Sequence, residues 1–346
     1  TSQEKKKKKF VMRKIVAEIS RSLQRSPPIA KLSLPDVVQN ILKPVQQIEK
    51  LNQAEIDICK GNILITYYKW RKEESFRGFP TQEDIKKFYA EIENTEISIL
   101  KNRLNVAICE QIEEMFNHIH ETVEDLGKND IVLTPAEYQQ QLLSQLLTKN
   151  KFILEIQKST VPLAGNGLFL RGTVVHPGTV VALFPGKVHL PQYLTNDYVD
   201  SELLPDQNFF LMGRLDGTII DGRTFGSTPY NPYGLAHMVN HPPRNIVPNV
   251  LQLAFDFPGD PWGFDEFPKK LQPYIPNTYA KPPTLIGTPD RSAMMRSIIL
   301  MATTTISPGE EIFMDYRLNP SLDAPDWYNQ VDENLSKKRW ERSMYY

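Results

Sequence analysis

The sequence predicts an α+β protein in which a helical region, residues 1–149, precedes small, mostly antiparallel β-sheets over residues 150–318. Glycine and proline are sparse before residue 150, and apolar residues recur there every three or four positions, which is the helical period. After residue 150, short β-branched runs are separated by turns rich in glycine and proline. Strands and helices do not alternate, so a doubly wound parallel sheet is not expected. Residues 319–346 form an aromatic and charged tail.

The helical region has no motif that carries chemistry. Apolar residues at helical spacing predict helices over 15–23, 35–45 and 51–70. Their apolar stripes must be buried, either against one another or against a partner. Two interpretations follow: a packing unit without chemistry, or a surface that selects a protein partner, which is the role predicted for it here.

Two further helix signals lie closer to residue 150. Thr81, with Asp84 three positions later, predicts a helix start. The apolar positions that follow, up to Gly127, predict one long helix or two placed end to end. Thr134 and Glu137 predict a capping box, with a proline at the first helical position.

The second half predicts strands bounded by turn residues. They are expected over 152–157, 167–170, 178–184, 209–216, 218–221, 250–256 and 297–302.

Composition limits the partners. With 346 residues, 40% of them hydrophobic, the chain can bury a sizeable core, and its net charge of -1 gives no general attraction to nucleic acid or acidic membranes. The lysine run Lys5–Lys9 predicts a solvated tail, with nucleic-acid or other polyanion contact as the alternative. No stretch approaches 18 uninterrupted apolar residues, so no membrane span is predicted.

The two cysteines, Cys59 and Cys109, lie in helical patterns without the spacing of a metal site, so no metal is predicted. Reduced thiols fit an intracellular compartment; nucleus, cytoplasm and mitochondrion stay open.

The first candidate motif is Gly165-Asn166-Gly167. Two glycines that flank one residue let backbone groups approach a ligand closely. A strand-entry turn is the alternative, and no helix follows as a dinucleotide fingerprint would require.

The second motif is Asn240-His241, in a loop that continues to Pro248-Asn249. It offers amide and imidazole groups to a polar ligand, with a plain polar loop as the alternative. A single histidine without acidic or thiol neighbours does not predict a metal site.

The third motif runs from Ile306 to Tyr316 and contains the pair Glu310-Glu311. A Pro-Gly turn precedes it, and Ile312 and Phe313 predict the start of a strand. A half-buried core tyrosine is the alternative interpretation of Tyr316.

Taken in order, the three motifs resemble those of the SET-domain lysine methyltransferases, over residues 150–318. The stretches Leu215–Gly222 and Gly178–Val181 are similar to strands of that family. Within the family, the chain is most similar to the SET-domain-containing protein nine group, with which it also shares Leu271–Asn277.

The resemblance implies a SET fold and methylation of a protein lysine with S-adenosylmethionine as cofactor. It implies a catalytic role for Tyr316, as an orienting and electrostatic group. The cofactor-binding residues that it implies, all in the first two motifs, are Gly165, Asn166, Gly167, Asn240 and His241.

Two departures from the family pattern stand out. The loop between the Asn-His pair and Pro248 is longer and is filled differently, over Pro242–Val247. The cysteine-rich zinc segments that flank many members are absent. Something else must then close the lysine channel, and the tail residues Trp327, Tyr328 and Trp340 are candidates, with plain packing as the alternative.

Four aromatic residues are candidates for the channel lining, with hydrophobic core as the alternative: Phe209, Phe210, Tyr230 and Tyr233. The altered loop and the large helical region also leave a second function open. The chain could be a catalytically inactive SET-fold subunit that acts as a scaffold or assembly component.

Overall fold

The computed structural model describes residues 52–72, 82–128, 133–203, 208–224, 231–259, 267–281, 293–319 and 325–343. Several predicted features lie outside these residues: the helices over 15–23 and 35–45, the run Lys5–Lys9, the helix start at Thr81, and Tyr230.

The longer helices in the described part of the chain lie mostly before residue 150. They are α1 (Gln53–Lys72), α2 (Gln82–Asn94), α3 (Ile97–Gly127), α4 (Pro135–Asn150) and α5 (Glu333–Ser343). The last of them lies in the aromatic tail, where no helix was predicted.

Local sequence signals set the ends of these helices. The apolar stretch that ends at Gly127 forms two helices, α2 and α3, because the backbone of Glu96 is extended between them (φ -68°, ψ 144°). The predicted capping box begins α4: the Thr134 hydroxyl accepts a hydrogen bond from the Glu137 N–H at 3.3 Å, and the Thr134 N–H donates to Glu137 Oε2 at 2.9 Å.

The described strands form three small sheets. The first pairs β1 (Phe152–Lys158) with β2 (Asn166–Gly172); the second has the order β3 (Val180–Leu183), β9 (Ala293–Ala302), β7 (Val250–Pro258); the third has the order β5 (Leu211–Gly213), β6 (Ile219–Asp221), β4 (Gly186–His189), β8 (Asn277–Tyr279). All the pairings are antiparallel except that of β4 with β8. The predicted α+β architecture is confirmed.

The strand expected at Ile312 and Phe313 is a wrong prediction. This segment makes only single bridges, from Glu311 to Phe169 and from Phe313 to Asn240. It bonds first to the β1–β2 hairpin and then to the Asn-His segment, so no continuous ladder forms with one neighbour.

One hydrophobic core joins the helices to the sheets. The Phe116 ring of α3 stacks on Phe257 of β7, with 6.4 Å between the ring centroids. The buried Gln111 amide in α3 donates to the Gly178 carbonyl at 3.0 Å and accepts from the Val180 N–H at 2.9 Å. The boundary near residue 150 therefore marks a change of secondary structure across which packing is continuous.

No helix among the described residues is long and apolar enough to cross a membrane. In the same residues, no three side chains of His, Cys, Asp or Glu lie close enough together to hold a metal ion. Both cysteines are buried free thiols, and burial raises the pKa of Cys59 to about 12.

Candidate functional site

The three motifs meet around the carboxylate of Glu311. Ser159, at the end of β1, donates its hydroxyl to Glu311 Oε1 at 2.7 Å, and the Thr160 N–H donates to Oε2 at 2.7 Å. The Thr160 hydroxyl also donates to Oε2. The Asn240 amide donates to Oε1 at 3.0 Å. A single buried carboxylate thus joins the β1–β2 turn, the Asn-His segment and the C-terminal motif.

Asn240 ties the second motif directly to the first. Its Nδ2 group donates both to Glu311 Oε1 and to the Asn166 backbone carbonyl, each at 3.0 Å. An amide nitrogen carries two protons, so both are used within the protein. The side chain of Asn240 therefore fixes the Gly165–Gly167 turn.

The two glycines of the first motif have different roles. Gly165 has a φ of 73°, a left-handed conformation that favours glycine. Gly167 has an ordinary backbone, but a Cβ atom there would overlap the carboxylate of Glu311 and lie 3.1 Å from Asn240 Nδ2. The space that glycine leaves free at position 167 is thus occupied by the Glu311 side chain.

The Glu311 carboxylate stays ionised. Burial alone would raise its pKa, but hydrogen bonds from Thr160, Ser159 and Asn240 hold the pKa below its usual range. The site therefore contains a fixed negative charge, only 3% exposed, at the point where the three motifs meet.

The His241 imidazole is held as a neutral ring. Nε2 lies 2.7 Å from the Asn329 carbonyl, and Nδ1 accepts the Tyr316 N–H at 3.3 Å. This pattern assigns the remaining proton to Nε2. Burial lowers the His241 pKa, although the hydrogen bond to Asn329 and the charge of Asp315 act in the opposite direction.

Tyr316 lies against this histidine. The two ring centroids are 5.5 Å apart, and the phenol hydroxyl donates to the Val239 carbonyl at 3.0 Å. Burial raises the Tyr316 pKa to about 12, so the phenol remains protonated at neutral pH. The one hydroxyl proton is donated to Val239, so the oxygen offers its lone pairs as hydrogen-bond acceptors but does not take up a second proton readily.

The long loop does not prevent the C-terminal motif from bonding to both of its ends. The Met314 N–H donates to the Asn240 carbonyl at 3.0 Å, at the start of the loop. At the other end, the Asn249 side chain accepts from the Phe313 N–H at 2.8 Å and donates to the Glu311 carbonyl at 2.9 Å. Residues 244–247, between these two ends, are exposed, and Val247 is 61% exposed.

The tail covers the Asn-His segment. Tyr328 packs on His241 with 4.5 Å between centroids. Trp327 stands perpendicular to the Tyr316 ring at 6.1 Å and is 59% exposed. Trp340 donates to the carbonyl of Arg317, the residue after Tyr316, at 3.2 Å. Trp327 and Tyr328 thus contact the rings of Tyr316 and His241, whereas Trp340 bonds to the backbone next to Tyr316.

Of the candidates for the channel lining that the structure describes, one lies in the core and two lie in an exposed turn. Tyr233 is fully buried, and its hydroxyl donates to the Phe152 carbonyl at 2.9 Å, so it belongs to the core. Phe209 and Phe210 lie in a turn and are 84% and 38% exposed.

Sequence reasoning missed Glu311, Ser159 and Thr160 as members of the site. Glu311 stands inside the Glu-Glu-Ile stretch of the third motif, and only its burial separates it from the exposed Glu310. An acidic residue directly before the apolar Ile312 and Phe313 was the available signal, because a charge in such a segment needs buried partners. Ser159 and Thr160 carried no comparable signal.

Sequence comparison supports a SET-domain family for this chain and confirms the resemblance predicted from its motifs. The chain is 26% identical over 185 residues to SET domain-containing protein 9 of Homo sapiens, and equally to that of Pongo abelii. The match covers 46% of this chain and 56% and 61% of the two relatives, so it spans little more than half their length. No family model matches the chain.

Three solved structures overlap the chain with low identity. KRYPTONITE, in complex with mCHH DNA, an H3(1-15) peptide and SAH, is 17% identical, with 52% of this chain and 26% of that chain covered and a TM-score of 0.27. ctPRC2 bound to S-adenosylmethionine is 16% identical, with 60% of this chain and 19% of that chain covered and a TM-score of 0.28. CpSET8 from Cryptosporidium is 11% identical, with 81% of this chain and 97% of that chain covered and a TM-score of 0.30.

Proposed function

We propose that this protein is a methyltransferase that uses S-adenosylmethionine to methylate a lysine side chain of another protein. The observation that carries the proposal is the convergence of three motifs that are far apart in sequence. The Gly165–Gly167 turn, the Asn240-His241 pair and Tyr316 are joined through Glu311 and through backbone hydrogen bonds. Sequence similarity to SET-domain proteins supports the same conclusion.

The proposed reaction needs a neutral amine in line with an activated methyl group, which S-adenosylmethionine supplies when bound. A free lysine has a pKa of about 10.4, so deprotonating it at pH 7 costs about 4.6 kcal/mol. A dry channel lowers the lysine pKa by desolvation. Trp327 adjoins Tyr316 and Tyr328 packs on His241, so both rings would exclude water from this side of the site.

Tyr316 acts in this proposal as a hydrogen-bonding and orienting group. Its pKa of about 12 makes it a poor base at neutral pH. Its hydroxyl is fixed by the Val239 carbonyl, so the oxygen lone pairs are held in one direction. A fixed oxygen of this kind stabilises positive charge on a methyl group or an amine, and alignment contributes further.

The chemistry of the site suits a cationic cofactor. Glu311 supplies a fixed negative charge at the turn, and S-adenosylmethionine carries a sulfonium and an ammonium group. The side chains of Asn240 and His241 make their hydrogen bonds within the protein, and the Asn240 carbonyl accepts from the Met314 N–H, so only the remaining backbone groups of this segment would meet the cofactor. In this proposal their side chains hold the segment in place.

A second candidate function rests on the same hydrogen bonds. The Asn240 amide, both His241 ring nitrogens and the Glu311 carboxylate are already satisfied within the protein. A SET-fold scaffold without catalysis would also retain these internal hydrogen bonds, because they hold the three motifs together. The direct packing of α3 on the sheets fits this alternative as well.

Calorimetric titration with S-adenosylmethionine separates the two functions. The methyltransferase proposal predicts saturable binding and a higher melting temperature with cofactor present. Glu311→Gln keeps the size of the side chain, removes its charge and should weaken binding. Glu310→Gln, at the exposed neighbouring position, is the matched control and should bind as wild type does. Absence of binding heat at millimolar cofactor would favour the scaffold.

A further inference from the structure

The residue after Tyr316 is bonded to the first described helix. The Arg317 guanidinium forms a bidentate salt bridge with the Asp57 carboxylate of α1, with N–O distances of 2.7 and 2.9 Å. The two side chains are only 12% and 9% exposed. They are separated by 260 positions in sequence, so this ion pair ties the helical region to the C-terminal motif.

The backbone at Arg317 needs such a support. Its φ is 57°, a left-handed conformation that is unfavourable for a residue with a Cβ atom. The Arg317 N–H donates to the Asp315 carboxylate at 2.9 Å, which closes a tight turn around Tyr316. An arginine whose charge is buried and paired in a fork geometry can hold that turn, because any other orientation leaves the charge unpaired.

The C-terminal helix α5 completes the network. Arg339 donates to Gln53 Oε1 at 2.9 Å, and the Gln53 amide donates to Asp57 Oδ1 at 2.8 Å. Arg339 also lies 3.7 Å from the Asp315 carboxylate. The turn that carries Tyr316 is thus held from α1 on one side and from α5 on the other.

The network contains three acidic and three basic groups. Asp57, Asp315 and Asp332 are acidic, and Arg317, Arg339 and the buried Lys60 of α1 are basic. Burial lowers the Lys60 pKa to about 8, although the charges of Asp57 and Asp332 oppose this. Asp57 is the acidic group that acts on both Lys60 and Arg317, so loss of its charge would affect α1 and the turn together.

We propose that Asp57 is a positioning residue for Tyr316: by holding Arg317 in its left-handed turn, it sets where the phenol lies. The inference rests on the proposed function, in that the phenol is assigned to methyl transfer. It also gives the helical region a role in the site itself. The ordinary alternative is a salt bridge that stabilises the fold without affecting the position of the phenol.

The test needs a readout that does not depend on activity. The full chain would carry 3-fluorotyrosine at position 316, and its ¹⁹F resonance would be recorded well below the melting temperature. Asp57→Asn, which keeps the size of the side chain and removes the charge, should shift or split this resonance. Where methyl transfer to a lysine-peptide library is measurable, kcat should fall about 10- to 100-fold, with KM for cofactor nearly unchanged.

Asp256→Asn is the matched control. It removes the charge from another Arg–Asp contact, in which Arg214 lies 2.8 Å from Asp256, a residue of β7 in the second sheet, and Arg214 keeps its second partner Asp216 at 2.9 Å. It should lower the melting temperature but leave the resonance of residue 316 unchanged. A fold-stabilising role alone predicts that Asp57→Asn behaves in the same way, and that result would overturn the inference.

A second variant covers the case in which Asp57→Asn does not fold. Asp57→Glu keeps the charge and lengthens the side chain by one carbon. It should fold and still displace the resonance, because the fork geometry cannot be kept; an undisplaced resonance would overturn the inference. If wild type binds no S-adenosylmethionine, the proposed function fails, while the ¹⁹F comparison still decides whether Asp57 positions the phenol.

Discussion

The phenol hydroxyl of Tyr316 donates to the backbone carbonyl of Val239, the residue directly before the Asn240-His241 pair. This hydrogen bond links the third motif to the residue that precedes the second. It makes the position of the phenol depend on the loop and makes the loop depend on the phenol.

Tyr316→Phe should fold and bind cofactor as wild type does but lose most methyl transfer. The lost hydrogen bond should lower the free energy of unfolding by about 0.5–1.5 kcal/mol. Tyr233→Phe is the control, since it removes a hydroxyl that donates to the Phe152 carbonyl and accepts from the Asn150 amide. The control should lose stability but keep its activity. Equal activity of Tyr316→Phe and wild type would refute the role given to the phenol.

Gly167→Ala should destabilise the protein, because the new methyl group would overlap the Glu311 carboxylate. Overpacking of this kind costs about 1–3 kcal/mol. Gly213→Ala is the control, because no atom lies within 4 Å of a Cβ built at that strand position. Urea denaturation of both variants gives the comparison. Equal stabilities would mean that Glu311 does not occupy this space in solution.

Acid should destabilise the protein in part through His237. Burial lowers its pKa in the folded state from 6.5 to about 4. Between these pH values the unfolded chain binds the proton and the folded protein does not. Protonation of His237 therefore leaves the free energy of unfolding unchanged above pH 6.5. It lowers this free energy as the pH falls from 6.5 towards 4, by up to about 1.4 kcal/mol per pH unit.

Urea melts of wild type and His237→Phe from pH 8 to pH 4 measure this contribution. The variant should lose less free energy of unfolding than wild type below pH 6.5. The two curves should run parallel above pH 7, which serves as an internal control. Parallel curves across the whole range would show that another group causes the acid sensitivity.

A fragment that begins at residue 148 should not fold alone. It would expose the faces of the sheets against which α3 packs, including Phe257, and would leave the Gly178 and Val180 backbone without Gln111. Co-expression of 1–147 with 148–346 should rescue solubility through association of the two pieces. A soluble 148–346 fragment with its own cooperative melt would establish instead that the boundary separates two folding units.

Local signals predicted the parts of this fold that depend on local physics. The Thr134 capping box and the strands on either side of Gly165 follow from propensities over a few residues. The pairing of Asp57 with Arg317 could not be predicted, because a contact between positions so far apart has no local signature. The tail helix α5 was missed because its sequence is strongly polar, so few apolar residues mark a helical period there.

The segments that converge at the candidate site were predicted from the three motifs, whereas the hydrogen bonds that join them were not. The motifs indicated which segments converge, because glycine, asparagine and tyrosine at those positions resemble a known family. They did not indicate that the Asn240 side chain would bond to Asn166 and Glu311. Hydrogen-bond partners depend on the relative placement of whole segments, which single-residue patterns do not contain.

Methyl transfer from isotopically methyl-labelled S-adenosylmethionine to a lysine-peptide library tests the central claim most directly. Wild type and Tyr316→Phe would be compared at equal concentration, with mass spectrometry to locate the label. The account predicts label on lysine Nζ with wild type and a loss of most of it with the variant. If wild type binds the cofactor but leaves every lysine unlabelled, or if the variant labels equally well, the proposed catalytic role is contradicted.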